Sequence, residues 1–109
     1  MKAEIAKEWV AELRSGKWKQ CEQRLTNGEA YCCLGVLCEI AIANGIELEK
    51  HNLFYGNCAT ILPKLVQCWS DMDTPNGSID NKFCLSREND DGASFSEIAD
   101  IIEANVDKL

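Results

Sequence analysis

Histidine appears once in this chain and proline twice, and basic residues are outnumbered by acidic ones, eleven to eighteen. With His51 as the only imidazole, nucleophilic chemistry of the cysteine–histidine kind has a single base to draw on, and Cys58 is the nearest thiol in sequence. A net charge of −7 removes the basic surface that non-specific DNA or RNA binding requires. No apolar run approaches the roughly 20 residues of a bilayer-crossing helix. The opening stretch KAEIAKEWVAELRSG is amphipathic and does not read as a signal segment. Neither G-x-G-x-x-G nor G-x-x-x-x-G-K occurs, so no glycine-rich phosphate loop is present. These absences lead to the expectation of a cytoplasmic protein with no membrane or direct nucleic-acid partner, no cofactor and no catalytic residues that a motif identifies.

Cysteine, in contrast, is abundant. Seven are present, at positions 21, 32, 33, 38, 58, 68 and 84, and none forms the C-x₂-C knuckle of a tetrahedral zinc site. The stretch YCCLGVLC, Tyr31 to Cys38, concentrates three of them among Leu, Gly and Val. Adjacent Cys32 and Cys33 would point about 100° apart on a helix, which suits no shared ion. Reduced thiols packed as small hydrophobes are the expectation, with no metal. An odd number also cannot pair completely within one chain.

Apolar residues at Ile5, Ala6, Trp9, Val10 and Leu13 predict a helix over Ala3 to Arg14, closed by Ser15-Gly16. KWKQCEQRL reads as a short strand or extended piece before the Asn27-Gly28 turn. Tyr31 to Asn44 reads as a buried helix stopped by Gly45, and Gly35 inside it marks the close approach of another backbone, expected to be the first helix. Leu62 to Trp69 forms a helix with Pro63 in its first turn, and Lys82 to Leu85 a strand pairing near Trp18 or near Leu53 to Tyr55. Ser94 and Glu97 have capping-box spacing ahead of a helix to Ala104 with Phe95, Ile98, Ala99 and Ile102 on one face. The expected fold is one compact α+β domain over residues 1–109, with three to four helices on a small antiparallel sheet or hairpin. Its core is assigned to Trp9, Leu13, Cys33, Leu37, Phe95, Ile98 and Ile102.

The segment ENDDG superficially suggests a calcium loop. Setting Gly92 at the sixth loop position puts Arg87 first and Ile98 twelfth, where oxygen ligands are needed, so an EF-hand is excluded. The same residues suit a turn, with Asn89 and Asp90 capping backbone donors, Gly92 at positive φ and Ser94 as helix cap. Residues 87–109 carry seven acids and two bases, residues 1–20 three acids and five bases, so the two ends are expected to attract. A ligand or partner would meet a rim of Trp18, Tyr55 and Trp69 as stacking surfaces, with Lys17, Lys19 and Arg24 as basic groups.

Trp9, Leu13 to Gly16, Tyr31 to Ala41, Leu62-Pro63, Trp69 and Asn89 to Glu103 together resemble a family of small proteins from tailed phages and prophage regions of bacterial genomes. Members often carry LND-x-G before the last helix, where this chain has RENDDG, and the length of that turn is left open. The resemblance implies an accessory protein of the host cytoplasm and transfers no catalytic residues. The functional expectation is therefore non-catalytic binding to a host bacterial protein or other macromolecule. The alternative is a binder of a small molecule or nucleotide.

Overall fold

An eleven-residue helix with a single charged residue has to be largely surrounded, and the rest of the chain is arranged around it. A computed structural model describes residues 1–109. Helix α1 spans Ala3–Arg14 and α2, the central one, Cys33–Ala43; they are followed by β1 (Lys50–His51), β2 (Phe54–Tyr55) and α3 (Lys64–Ser70). Then come β3 (Ser78–Ile79), β4 (Phe83–Cys84), α4 (Leu85–Asp90), α5 (Phe95–Ala104) and a 3₁₀ turn at Val106–Lys108. The architecture is α+β, with helices packed against two separate antiparallel two-stranded sheets.

Core packing follows the helical stripes. Ile5, Ala6, Trp9, Val10 and Leu13 of α1 lie buried against Phe95, Ile98, Ala99 and Ile102 of α5 and against α2, where Cys33, Leu34, Leu37, Cys38 and Ala41 are also buried. The Trp9 indole donates to the Cys33 carbonyl at 2.9 Å, so the largest buried ring leaves no polar atom unpaired. Ser94 and Glu97 form a reciprocal capping box on α5, each bond 3.1 Å. Between the chain ends, Arg14 pairs with Asp100 at 2.6 Å and Glu103 at 3.1 Å, but such half-exposed pairs contribute little stability.

Four expectations are corrected. The helices number five, because residues read as a turn form α4. Its turn-forming sequence is overridden by packing: Leu85 and Asn89, four apart on one face, are both buried. KWKQCEQRL is not a strand; Gln20 and Thr26 make only isolated bridges, both to Tyr31, and Gln23 at φ 67° breaks any extended run between them. The strand near Phe83 pairs locally with Ser78-Ile79, since Asp80 and Asn81 both adopt left-handed backbone and close the hairpin at once. Finally, the backbone against Gly35 is not α1. A Cβ on Gly35 would lie 1.9 Å from the Leu25 carbonyl oxygen, the same oxygen that accepts the Cys32 N–H.

The second and third predicted helices shift slightly. Cys32 is the N-cap of α2, its sulfur accepting the Gly35 N–H at 3.4 Å, and Tyr31 stays outside the helix. Pro63 is the N-cap of α3, a position where its missing N–H costs nothing.

A candidate binding groove between the first two helices

Glu8 and Glu12 stand four residues apart on α1, an arrangement of like charges that an isolated helix disfavours. The helix ends at Ser15, Gly16 turns the chain back at φ 76°, and Lys17 and Trp18 return alongside Glu12. Ser15 fixes that turn by donating to the Glu12 carbonyl at 2.6 Å and accepting the Lys17 N–H at 3.1 Å. The Trp18 indole donates to the Glu12 carboxylate at 3.2 Å, and its ring meets Tyr31 edge-on with centroids 5.1 Å apart. A cavity of about 260 Å³ results, floored by Ile40 and Ile42 of α2 and edged by Glu8, Glu12, Glu39 and Trp18.

Glu39 anchors the inner wall. It is the only charge in the run Tyr31 to Ala43 and its side chain is largely buried, accepting from the Tyr55 hydroxyl and from Lys50 Nζ at 2.8 Å. Lys50 also lies 5.3 Å from the Tyr31 ring centroid and 5.5 Å from that of Tyr55, within cation–π range. Burial works to lower the Lys50 pKa, but the Glu39 carboxylate outweighs it and the value ends above normal. Burial, then donation to Glu39, pushes the Tyr55 phenol far up. At neutral pH Lys50 is thus an ammonium paired with the Glu39 carboxylate and Tyr55 a neutral phenol donating to it, and the two bonds tie the β1–β2 hairpin to α2.

Lys17 shows what the groove accepts. Its ammonium lies 5.1 Å over the Trp18 ring and 3.5 Å from Glu12, while two-thirds of its side chain remains exposed. A cation between an aromatic face and a carboxylate is the arrangement that a guanidinium or ammonium from outside would also adopt.

Of the residues expected to share one rim, Lys17 and Trp18 meet in this groove, and Tyr55 reaches it only through Glu39, its ring being fully buried. Lys19 is exposed, and its carbonyl accepts the Tyr31 N–H. Arg24 folds onto its own loop, donating to the carbonyls of Thr26 at 2.9 Å and Leu53 at 3.5 Å, and lines a different cavity with Asp90 and Cys32. Trp69 is half-buried in α3. Glu8, Glu12 and Glu39 escaped the sequence reading, although two signals were present: an unrelieved like-charge pair on α1, and one acid inside an otherwise apolar run.

The other candidate chemistry is dispersed. No three His, Cys, Asp or Glu side chains are placed to hold a metal ion. The exposed His51 ring faces Glu49 at 3.2 Å and has no bond to Cys58. Asn89 and Asp90 both accept backbone N–H groups, but of distant segments, Cys33 and Gln23, rather than within a turn. Gly92 takes φ 101° just after α4.

Burial holds the Cys33 and Cys38 thiols well above their usual value and pushes Cys32 up to about 11. The unfolded chain loses these protons from a value near 9.0 while the folded chain keeps them. The unfolded state then binds fewer protons, so stability falls as pH rises. The contribution is fully present below about pH 9 and declines by up to about 1.4 kcal/mol per pH unit for each thiol above it. Urea midpoints measured in reducing buffer should change little between pH 8 and about pH 9 from this cause and fall from there to about pH 10.5. A flat profile would mean that the three thiols titrate as freely in the folded protein as in the unfolded chain.

Residues 1–106 match the family described as Domain of unknown function (DUF8296). The chain belongs to that family. The matched span takes in both groove helices, the α4 segment and the whole of α5. No curated protein matches this chain, and no solved structure does.

Proposed function

We propose that this protein is a phage or prophage accessory protein that binds a host macromolecule without catalysis, taking a basic side chain of a host protein into the groove between α1 and α2. The observation that carries this reading is the Lys17 ammonium, seated between the Trp18 ring and Glu12 as an exposed and displaceable internal occupant. Glu8 and Glu39 face the same cavity, and the net charge of −7 would draw a basic partner toward it from a distance. An arginine suits the site best, because its planar guanidinium can stack on Trp18 while its donors reach carboxylates on either side.

Titration of the ¹⁵N-labelled protein with a hexa-arginine peptide tests the reading directly. The Trp18 indole N–H signal should shift saturably, and the buried Trp9 signal should not. Binding should weaken as salt is raised, and Glu8→Gln with Glu12→Gln should lower affinity by about two- to fivefold per carboxylate. A Trp18 signal indifferent to the peptide, or one moved equally by hexa-glutamate, would remove the groove as a cation site.

A further inference from the structure

We infer that a depression beside the β3–β4 hairpin binds the phosphate of a small aromatic monoester, a site separate from the groove of α1 and α2 and independent of it. The cavity measures about 260 Å³, and its charged lining residues are Lys82 and Arg87, with Asn76, Ser78, Asn81, Phe83 and Cys84 completing the wall. No carboxylate lines it, in a chain where acids outnumber bases eighteen to eleven. Neither cation is committed elsewhere: the ion pairs of the protein use Arg14, Lys17, Lys50, His51 and Lys108. The hairpin's own acid, Asp80, is taken by Lys108 at 2.7 Å and so does not compete for them.

The neutral groups are oriented to favour an anion as well. Asn76 Oδ1 accepts the Ser78 hydroxyl at 2.9 Å, which occupies the acceptor of that amide and leaves its Nδ2 without a partner in the protein. Asn76 and Gly77 are themselves held by α4, whose Ser86 and Leu85 N–H groups donate to their carbonyls at 3.2 and 3.0 Å. Gly77 is required for that closeness, since it has φ 74° and a Cβ there would meet the Leu85 side chain at 2.9 Å. Part of the wall therefore sits on a braced frame, and a guanidinium, an ammonium and an amide line one depression that no carboxylate enters. A dianionic phosphate supplies acceptors for all three, with the paired geometry that arginine favours. Phe83, half-buried at the edge, gives an apolar contact that inorganic phosphate would leave unused and an aromatic ester would cover.

Phenyl phosphate is the direct probe, followed by ¹H–¹⁵N spectra of the intact chain, with inorganic phosphate and phenol as comparisons. Saturable shifts at Asn76, Ser78 and Asn81 and at the Arg87 side chain are expected, with inorganic phosphate binding several-fold more weakly and phenol not at all. Lys82→Ala with Arg87→Ala should weaken phenyl phosphate at least tenfold and leave the melting temperature unchanged, because both side chains are exposed and unpaired. Arg87→Lys should restore part of the loss. Absence of saturable shifts at millimolar ester, or equal affinity in the doubly substituted protein, would overturn the site. Inorganic phosphate binding as tightly as the ester would overturn the assignment to a monoester.

Discussion

Gly35→Ala should lower the melting temperature by roughly 10 °C, although alanine is the better helix former. In the first turn of α2 the exchange would by propensity alone stabilise by at most about 1 kcal/mol. The new Cβ, however, would sit 1.9 Å from the Leu25 carbonyl oxygen and 2.9 Å from its carbon. Those are backbone atoms, so no rotamer change relieves the overlap, and the Leu25 segment has to move as a unit. Its movement stretches the Cys32 N–H bond to the Leu25 carbonyl, 3.1 Å, and the Leu25 N–H bond to the Ala59 carbonyl, 2.7 Å. An overpacking cost near the upper end of the usual range, about 3 kcal/mol, outweighs the propensity gain and leaves about 2 kcal/mol of net loss. For a chain of this size that corresponds to the stated shift at roughly 4–6 °C per kcal/mol. Gly45→Ala is the natural comparison. Gly45 has φ 92° and open space around it, so its substitution carries only the left-handed backbone cost of about 1 kcal/mol. If Gly35→Ala melts at or above the temperature of the unmodified protein, the Leu25 contact does not exist as described.

Asn89→Ala should be the most damaging single change at a polar position, with a loss of about 3–5 kcal/mol in urea unfolding. The Asn89 side chain is 1% exposed, and both ends of its amide are engaged. Its Oδ1 accepts the Cys33 N–H at 3.1 Å and the Gln20 amide at 2.9 Å, and its Nδ2 donates to the Cys21 carbonyl at 2.8 Å. One amide thus satisfies a donor in the first turn of α2 and pins the loop from Gln20 to Thr26 across it. Truncation leaves the buried Cys33 N–H and the partly buried Cys21 carbonyl without those partners, and an unsatisfied group costs about 1–3 kcal/mol when buried. Gln20→Ala removes one bond to Asn89 and one to the Ala93 carbonyl from a more accessible position, and its effect should be about 1 kcal/mol. Hydrogen exchange supplies a local readout. The Cys33 amide should exchange much faster in Asn89→Ala than in the unmodified protein, and unchanged protection there would show that another acceptor holds it.

Both residues were visible in the sequence, but for reasons only partly related to what they do. A glycine inside an apolar helix signals close approach by another backbone whatever the fold, because nothing else explains tolerating its cost. Which backbone approaches depends on where the connection between α1 and α2, residues 15–32, comes to rest, and no local pattern encodes that. Asn89 lies in a string of turn-forming residues, and turn propensity was a sound local reading. Packing Leu85 and Asn89 against α2 supplied energy that the isolated peptide lacks, and six residues became helical. The small hairpins divide in the same way: left-handed positions at Asn52, Asp80 and Asn81 follow local residue preferences, while strands of two residues carry too little pattern to announce a partner.

The groove was legible in fragments. Lys17 and Trp18 were assigned to a rim, but Lys19, Arg24, Tyr55 and Trp69 were grouped with them on the same ground, that aromatic and basic residues are common in binding rims. Their separation in the fold reflects burial: the Tyr55 ring is drawn into the core and only its hydroxyl reaches Glu39.

Taken by itself, the order of residues determined what depends on neighbours within a turn or two: the stripes of α1 and α5, the Ser94–Glu97 cap, the nearly all-apolar character of α2, and the acidic balance of charge. Tertiary structure alone decided what depends on residues far apart in the chain: the Leu25 carbonyl over Gly35, the Asn89 bridge to Cys21 and Cys33, and the meeting of Glu8, Glu12 and Glu39. The physical reason is that periodicity records which face of an element avoids water, and every apolar face satisfies that requirement equally well. The choice among them is made by a few directional contacts, at separations over which side-chain pattern carries no information.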